Sequence, residues 1–154
     1  MIKIRKMQKE DIEGVLEVEK ESFKTPWTRR LFFDELENPR TVYYVCCSED
    51  EILGYGGMWH VVDEGQITNI AVKKNSRKKG IGSKILEEII NWSKEHDIKV
   101  IELEVRQGNF GALELYKKYG FRAVGKRKGY YKEPLEDAVL MDLRLDDGQI
   151  DIRD

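Results

Sequence analysis

The sequence predicts an α/β (mixed α+β) domain in which a mixed, mostly antiparallel sheet is flanked by helices. Helical patterns come early, three consecutive strand patterns follow with short polar turns between them, and the remaining strands are separated by helical stretches. Short turns suit antiparallel hairpins, whereas helical crossovers suit parallel neighbours. This order is therefore not that of a doubly wound fold.

The chain opens with a predicted strand over residues 2–6 and a helix over residues 8–21, whose apolar positions follow a helical period. Thr28 is the expected N-cap of a second, short helix that Pro39 ends. The side chains expected to be buried on this helix are Phe32, Phe33 and Leu36.

Three strands are predicted over residues 42–48, 52–62 and 65–72, joined by short acidic turns. The two cysteines, Cys46 and Cys47, are adjacent, so their side chains point to opposite faces of the first of these strands. We expect both to be free, buried small residues.

The second half of the sequence predicts a helix from near Gly80, a strand over residues 99–106 and a helix from Asn109 to Tyr119. A last hairpin is predicted to pair residues 121–132 with residues 138–145. The apolar stripe of the first of these helices is formed by Ile81, Ile85, Leu86, Ile89 and Trp92.

Length and composition favour one domain over residues 1–145, followed by an acidic tail over residues 146–154 that we expect to be mobile. A net charge of −2 disfavours a general nucleic-acid binder, so any basic function is local. The N-terminal residues lack the apolar run of a signal peptide, and no stretch approaches membrane-spanning length. We expect a cytoplasmic protein with no membrane, nucleic-acid or metal partner, as a monomer or weak homodimer.

The segment from Asn69 to Ser83 is the strongest functional signal, because a strand end runs into a basic, glycine-containing turn that opens a helix. The free N–H groups of a helix start, with flanking cations, suit a phosphate. The spacing matches neither a Walker loop nor a dinucleotide fingerprint, whose third glycine would fall at Ile85.

This loop, Arg77-Lys78-Lys79-Gly80-Ile81-Gly82, resembles the Gln/Arg-x-x-Gly-x-Gly/Ala motif of the GNAT superfamily of N-acetyltransferases. The resemblance spans nearly the whole chain. Further matching segments are Asn69-Ile70-Ala71-Val72, Leu103-Glu104-Val105-Arg106, Asn109, Leu115-Tyr116-Lys117-Lys118-Tyr119-Gly120-Phe121, Gly129-Tyr130-Tyr131 and Glu136-Asp137-Ala138. They are most similar to the subgroup that acetylates the N-terminal alanine of a small-subunit ribosomal protein.

The resemblance implies a GNAT-like fold with a sheet splayed in the middle and acetyl-CoA as cosubstrate. It places Ile70 to Val72 along the pantetheine arm and Lys78 to Ser83 on the pyrophosphate. A backbone N–H near Ala71 or Val72 would donate to the thioester oxygen. The coenzyme-binding residues implied are Ile70, Ala71, Val72, Arg77, Lys78, Lys79, Gly80, Ile81, Gly82, Ser83 and Asn109.

Direct attack of a neutral amine on the thioester needs at most a base and an acid, which the resemblance assigns to Glu104 and Tyr116. By residue type alone, Glu104 is a solvated strand residue and Tyr116 a half-buried aromatic. The acceptor fits a protein N-terminus, because an α-amine has a pKa of roughly 7.7–8.0 against about 10.4 for lysine. Candidate substrate-binding residues are Tyr131, Trp59 and Glu64. Trp27 and Tyr130 are further candidate walls, and Asp63, like Glu64, is a candidate partner for a basic peptide.

The sequence leaves two alternative functions open. One is a GNAT enzyme that acetylates lysine, a polyamine or another small amine. The other is a non-catalytic coenzyme A binding or interaction module, against which the presence of both Glu104 and Tyr116 argues.

Overall fold

The computed structural model describes residues 1–145, which contain seven strands and four helices. The acidic tail over residues 146–154, predicted to be mobile, lies outside the described residues. The strands are β1 (Ile2–Lys6), β2 (Thr41–Ser48), β3 (Glu51–Val61), β4 (Glu64–Val72), β5 (Val100–Arg106), β6 (Arg122–Lys132) and β7 (Leu135–Arg144). The helices are α1 (Ile12–Ser22), α2 (Arg29–Glu37), α3 (Ile81–Glu95) and α4 (Phe110–Lys118), with short 3-10 turns at Lys9–Asp11 and Lys74–Ser76.

The strands form one sheet in the order β1-β2-β3-β4-β5-β7-β6. The pairs β1–β2, β2–β3, β5–β7 and β6–β7 are antiparallel, and β4 pairs with β5 in parallel. The prediction of a mixed, mostly antiparallel sheet flanked by helices is confirmed. In the described chain, the β4–β5 ladder joins only Glu64–Gln66 to Val100–Glu102, so it covers a third of β4.

The chain forms two units, and the first contains Met1–Trp59 and Thr68–Trp92. Its core packs α1 and α2 against β2 and β3, with Val15, Val18, Phe32 and Tyr55 fully buried. Gly56 lets β3 approach α3 closely: a Cβ there would lie 2.5 Å from the Cγ2 atom of Ile85. Cys46 and Cys47 are free and buried, as predicted.

Helix α2 departs from prediction at one aromatic residue. Thr28 caps the helix as expected, because its hydroxyl accepts from the backbone N–H of Leu31 at 3.2 Å. Phe32 is buried, but Phe33 is 38% exposed, with the Lys9 ammonium 4.7 Å from its ring centroid. Burial of Phe33 was a wrong prediction, since successive helical residues point about 100° apart.

The start of α1 also differs from the prediction of a helix from residue 8. A 3-10 turn precedes it, and Asp11 holds that turn by accepting from the Gln8 backbone N–H at 2.8 Å. The same carboxylate forms two hydrogen bonds with the Arg5 guanidinium, at 2.7 and 2.8 Å. The extended strand β1 is thereby tied to the first helix.

Within the described residues, the second unit contains His60–Ile67 and residues 93–145. Strand β5 alternates as predicted, with Ile101, Leu103 and Val105 buried and Glu104 half-buried. All seven β5 residues pair with β7. Asn109 caps α4 by accepting from the Ala112 backbone N–H, and Gly120 follows the helix at a φ of 96°, which favours glycine.

Candidate active site

The basic loop of the first unit, predicted to bind phosphate, lies directly before α3. The backbone φ angle is 66° at Lys78 and 78° at Gly80, and α3 begins one residue later at Ile81. Ile81 is 1% exposed, which anchors the helix start in the core. The side chains of Arg77, Lys78 and Lys79 are exposed. Three basic residues therefore lie directly before the first turn of a helix whose free N–H groups favour an anion.

Gly80 provides a direct test of whether a phosphate group fits here. A Cβ built on Gly80 meets no atom within 4 Å, so the space beside the loop is open. The left-handed backbone at this position is one that glycine adopts without strain. Open space, backbone donors and nearby cations all fit a pyrophosphate.

Arg77 connects the loop to the strand predicted to bind pantetheine. Its Nε donates to the backbone carbonyl of Val72, the last residue of β4, at 3.0 Å. Ala71 is buried, while Ile70 and Val72 are partly exposed. The end of β4 and the basic loop are thus joined within the first unit.

A buried hydrogen-bond network lies behind β4, and the sequence analysis missed it. Glu19 is 1% exposed, and its carboxylate accepts from the Tyr55 hydroxyl and from the Trp27 backbone N–H. Asn69 donates its side-chain amide to the Tyr55 hydroxyl at 3.2 Å. Burial, with the Glu19 charge, raises the pKa of Tyr55 far above its usual value. Glu19 could have been suspected, because it lies four positions after Val15 on the apolar stripe of α1.

Glu104, the candidate base, belongs to the second unit and has two partners. Its Oε1 accepts from the Tyr130 hydroxyl at 3.0 Å, and its Oε2 is 3.1 Å from the Nε of Arg127. The hydrogen bond to Glu104 raises the pKa of Tyr130. Arg127 was not predicted, since only the pairing of β5 with β7 and of β7 with β6 brings residue 127 near residue 104.

Tyr116, the candidate acid, lies on α4 and is 7% exposed. Its ring centroid is 5.5 Å from that of Phe121, and burial raises the pKa of Tyr116 to about 12. The phenol is therefore protonated at neutral pH. A protonated hydroxyl is the form that can donate to a departing thiolate.

The candidate peptide walls are spread over several elements. Tyr131 packs edge-on against Tyr130 at 5.0 Å, and burial raises the pKa of Tyr131 to about 12. Trp59 is 43% exposed, whereas Trp27 packs on Phe32 in the first unit, 5.2 Å between ring centroids. The acidic turn residues have ordinary roles as well: Asp63 faces Lys99 at 3.9 Å, and Glu64 begins the ladder with β5.

Within residues 1–145, no group of three or more His, Cys, Asp or Glu side chains could hold a metal ion. No helix in that same range is both long and apolar enough to cross a membrane.

Residues 12–121 match the acetyltransferase (GNAT) family. The chain belongs to that family. The fold agrees: the crystal structure of the ribosomal-protein-S18-alanine N-acetyltransferase from Escherichia coli superposes with a TM-score of 0.87, at 26% identity and with 94% of each chain covered. This GNAT chain is an acetyl-CoA-dependent N-acetyltransferase, as its sequence predicted.

Two relatives of this GNAT chain are named after the same activity. A Bacillus subtilis protein, provisionally named a ribosomal protein bS18-alanine N-acetyltransferase, is 42% identical over 90% of this chain and 92% of its own length. The ribosomal protein bS18-alanine N-acetyltransferase of Haemophilus influenzae is 33% identical over 85% of this chain and 90% of its own length.

Proposed function

We propose that this enzyme transfers the acetyl group of acetyl-CoA to the N-terminal α-amine of a protein, the alanine of ribosomal protein bS18. The observation that carries the proposal is the 42% identity to the Bacillus subtilis protein of that name, across nine-tenths of both chains. A ribosomal acceptor also implies the cytoplasm as the place of reaction.

We assign coenzyme recognition mainly to the first unit. The backbone of Ile70–Val72 would bond the pantetheine amides as a neighbouring strand does. The pyrophosphate would lie on the first turn of α3 at Lys78–Ser83, with Arg77 bracing the loop against Val72. Asn109, at the start of α4, is the proposed coenzyme contact in the second unit. Support comes from the open, left-handed Gly80 and the exposed cations beside it.

In the proposed reaction the neutral α-amine attacks the thioester carbonyl, so that an N–C bond forms and the C–S bond breaks. Glu104, directly or through a water, takes the proton that the amine nitrogen loses. Tyr116, the proposed acid, donates a hydrogen bond from its hydroxyl to the departing sulfur, which takes up a proton from solvent as coenzyme A leaves. A backbone N–H near Ala71 or Val72 donates to the carbonyl oxygen as charge develops. The products are an acetylated N-terminus and coenzyme A.

Acid–base chemistry favours an α-amine over lysine as the acceptor. With a pKa of roughly 7.7–8.0, about a tenth of an α-amine is neutral at pH 7, whereas lysine at about 10.4 is almost wholly charged. One carboxylate base, Glu104, is adequate for the first and poorly suited to the second. We further propose Tyr131, Trp59 and Glu64 as acceptor contacts.

The test is acetyl transfer to a peptide that begins with alanine and copies the start of bS18, beside the same peptide with a blocked α-amine and a free lysine. We expect transfer to the free α-amine alone, and a large loss of turnover in Glu104→Gln. Transfer to the lysine would assign the enzyme to lysine or small-amine acetylation. Transfer to neither peptide would refute the proposed acceptor.

A further inference from the structure

Arg106, the last residue of β5, makes more contacts than a strand end requires. Its guanidinium donates to the backbone carbonyls of Pro134 at 3.0 Å and Glu133 at 3.2 Å, and to the Glu136 carboxylate at 3.2 Å. The same group stacks over the Tyr131 ring, 4.3 Å from its centroid. One side chain thus holds both the β6–β7 turn and the aromatic residue before it.

Glu136 extends this connection to the start of α4. Its Oε2 accepts from the Gly108 backbone N–H at 2.5 Å, and a Cβ on Gly108 would lie 2.6 Å from that oxygen. Asn109, the N-cap of α4, follows directly. The β6–β7 turn is therefore fastened to the loop that precedes the helix of Tyr116.

Arginine is chemically suited to this position and lysine is not. A guanidinium is planar, carries five donors in a fixed fork, and can stack on an aromatic face while it donates in its plane. An ammonium is compact and cannot contact two carbonyls, a carboxylate and a ring together. The side chains of Arg106 and Glu136 are only 33% and 25% exposed, so the fork is partly shielded from water.

We propose that Arg106, held by Glu136, is a positioning residue for the acceptor peptide. It fixes Tyr131 and the β6–β7 turn so that the peptide meets a preformed wall, and it does not touch the reacting atoms. This inference rests on the proposed function, which names a protein N-terminus as acceptor. It assigns a role to two residues that the family motifs contain and the mechanism does not use.

The test compares Arg106→Gln with Arg106→Lys and with Arg122→Gln, a control at an exposed arginine on β6. We expect Arg106→Gln to raise the KM for the peptide about tenfold, because binding must then order a wall that is no longer preformed. The dissociation constant for acetyl-CoA stays unchanged and kcat changes little, whereas Arg122→Gln leaves all three constants unchanged. Arg106→Lys behaves like Arg106→Gln, and wild-type KM in the lysine variant would overturn the proposal.

Hydrogen exchange supplies a readout that does not depend on turnover. We expect the amides of residues 129–137 to exchange faster in Arg106→Gln, with exchange in α3 unchanged, which also shows that the variant is folded. The double variant with Glu136→Gln should raise the peptide KM no further than Arg106→Gln alone, because both changes release the same turn. Unchanged exchange, or KM effects that multiply, would contradict the inference.

The two proposals fail in distinguishable ways. If wild-type protein transfers acetyl to no α-amine peptide, the proposed function fails and the peptide-positioning role fails with it. If the wild type acetylates the peptide while Arg106→Gln keeps the wild-type KM, the proposed function stands and only the role of Arg106 is refuted.

Discussion

Replacement of Tyr116 by phenylalanine tests the proposed acid with little disturbance of the fold. The ring is 7% exposed and packs on Phe121 with 5.5 Å between centroids, and a phenylalanine ring keeps that contact. Only the hydroxyl is lost. Any change in rate then reports on donation by that hydroxyl.

The size of the effect follows from the protonation chemistry of the buried phenol. Burial raises the pKa of Tyr116 to about 12. A cysteine thiol has a pKa of about 8.5 in water, well below that of the buried phenol, so full transfer of the proton to the thiolate is unfavourable. We therefore expect Tyr116 to act mainly as a hydrogen-bond donor to the developing charge. Such a bond contributes about 1.5–3 kcal/mol, which corresponds to about a 10- to 150-fold fall in kcat for Tyr116→Phe.

The assay is single-turnover acetyl transfer at saturating acetyl-CoA and peptide, with Tyr119→Phe at the end of the same helix as a control. Acetyl-CoA affinity should not change in either variant, and Tyr119→Phe should keep wild-type turnover. Because the raised pKa keeps Tyr116 protonated, its titration should produce no loss of activity below pH 10. Wild-type kcat in Tyr116→Phe would remove Tyr116 from the mechanism, and a loss well above a thousandfold would refute the hydrogen-bond estimate in favour of obligatory proton transfer.

Three further predictions concern the stability of the first unit. Tyr55→Phe should lower the free energy of unfolding by about 1–3 kcal/mol in a denaturant titration, because buried Glu19 loses a donor; a change below about 0.5 kcal/mol would refute this. Gly56→Ala should destabilise by about 1–3 kcal/mol, because its methyl group would clash with Ile85; an unchanged melting temperature would show that α3 shifts freely. Burial of Asp11 opposes ionisation, but its hydrogen bonds lower its pKa below 3.8. The stabilisation from ionised Asp11 is therefore present above pH 3.8 and lost as the pH falls through the lowered pKa. The difference in the free energy of unfolding between wild type and Asp11→Asn should shrink in acid, and a constant difference would contradict this.

Local patterns predicted most elements, because each depends on residues close together in the sequence. The alternation of Ile101, Leu103 and Val105 gave β5, and the Thr28 and Asn109 caps gave the starts of two helices. The prediction that failed depended on an apolar pattern too short to define which face of the helix is buried. Phe33 looked like part of an apolar face, but helix geometry turns it away from Phe32.

The candidate site also contains one part that local sequence patterns predict and one part that they do not. The basic loop before α3 could be predicted because glycine spacing, cations and a helix start are adjacent in the chain. The partners of Glu104 could not, since Arg127 and Tyr130 reach it only through the register of β5, β7 and β6. Irregularities in the β6–β7 register between residues 123 and 125 and between 127 and 131 make such contacts harder still to predict.

The proposed contacts for the coenzyme and for the acceptor differ in kind, so the choice of acceptor can change while coenzyme binding is kept. Coenzyme recognition, as proposed, rests chiefly on backbone groups and a short basic loop in the first unit. On the acceptor side, as proposed, Tyr131 of β6 is held by Arg106. The other proposed acceptor contacts, Trp59 and Glu64, lie on β3 and β4. Substitutions in residues 127–136 can therefore alter the peptide wall while leaving the loop at Gly80 untouched.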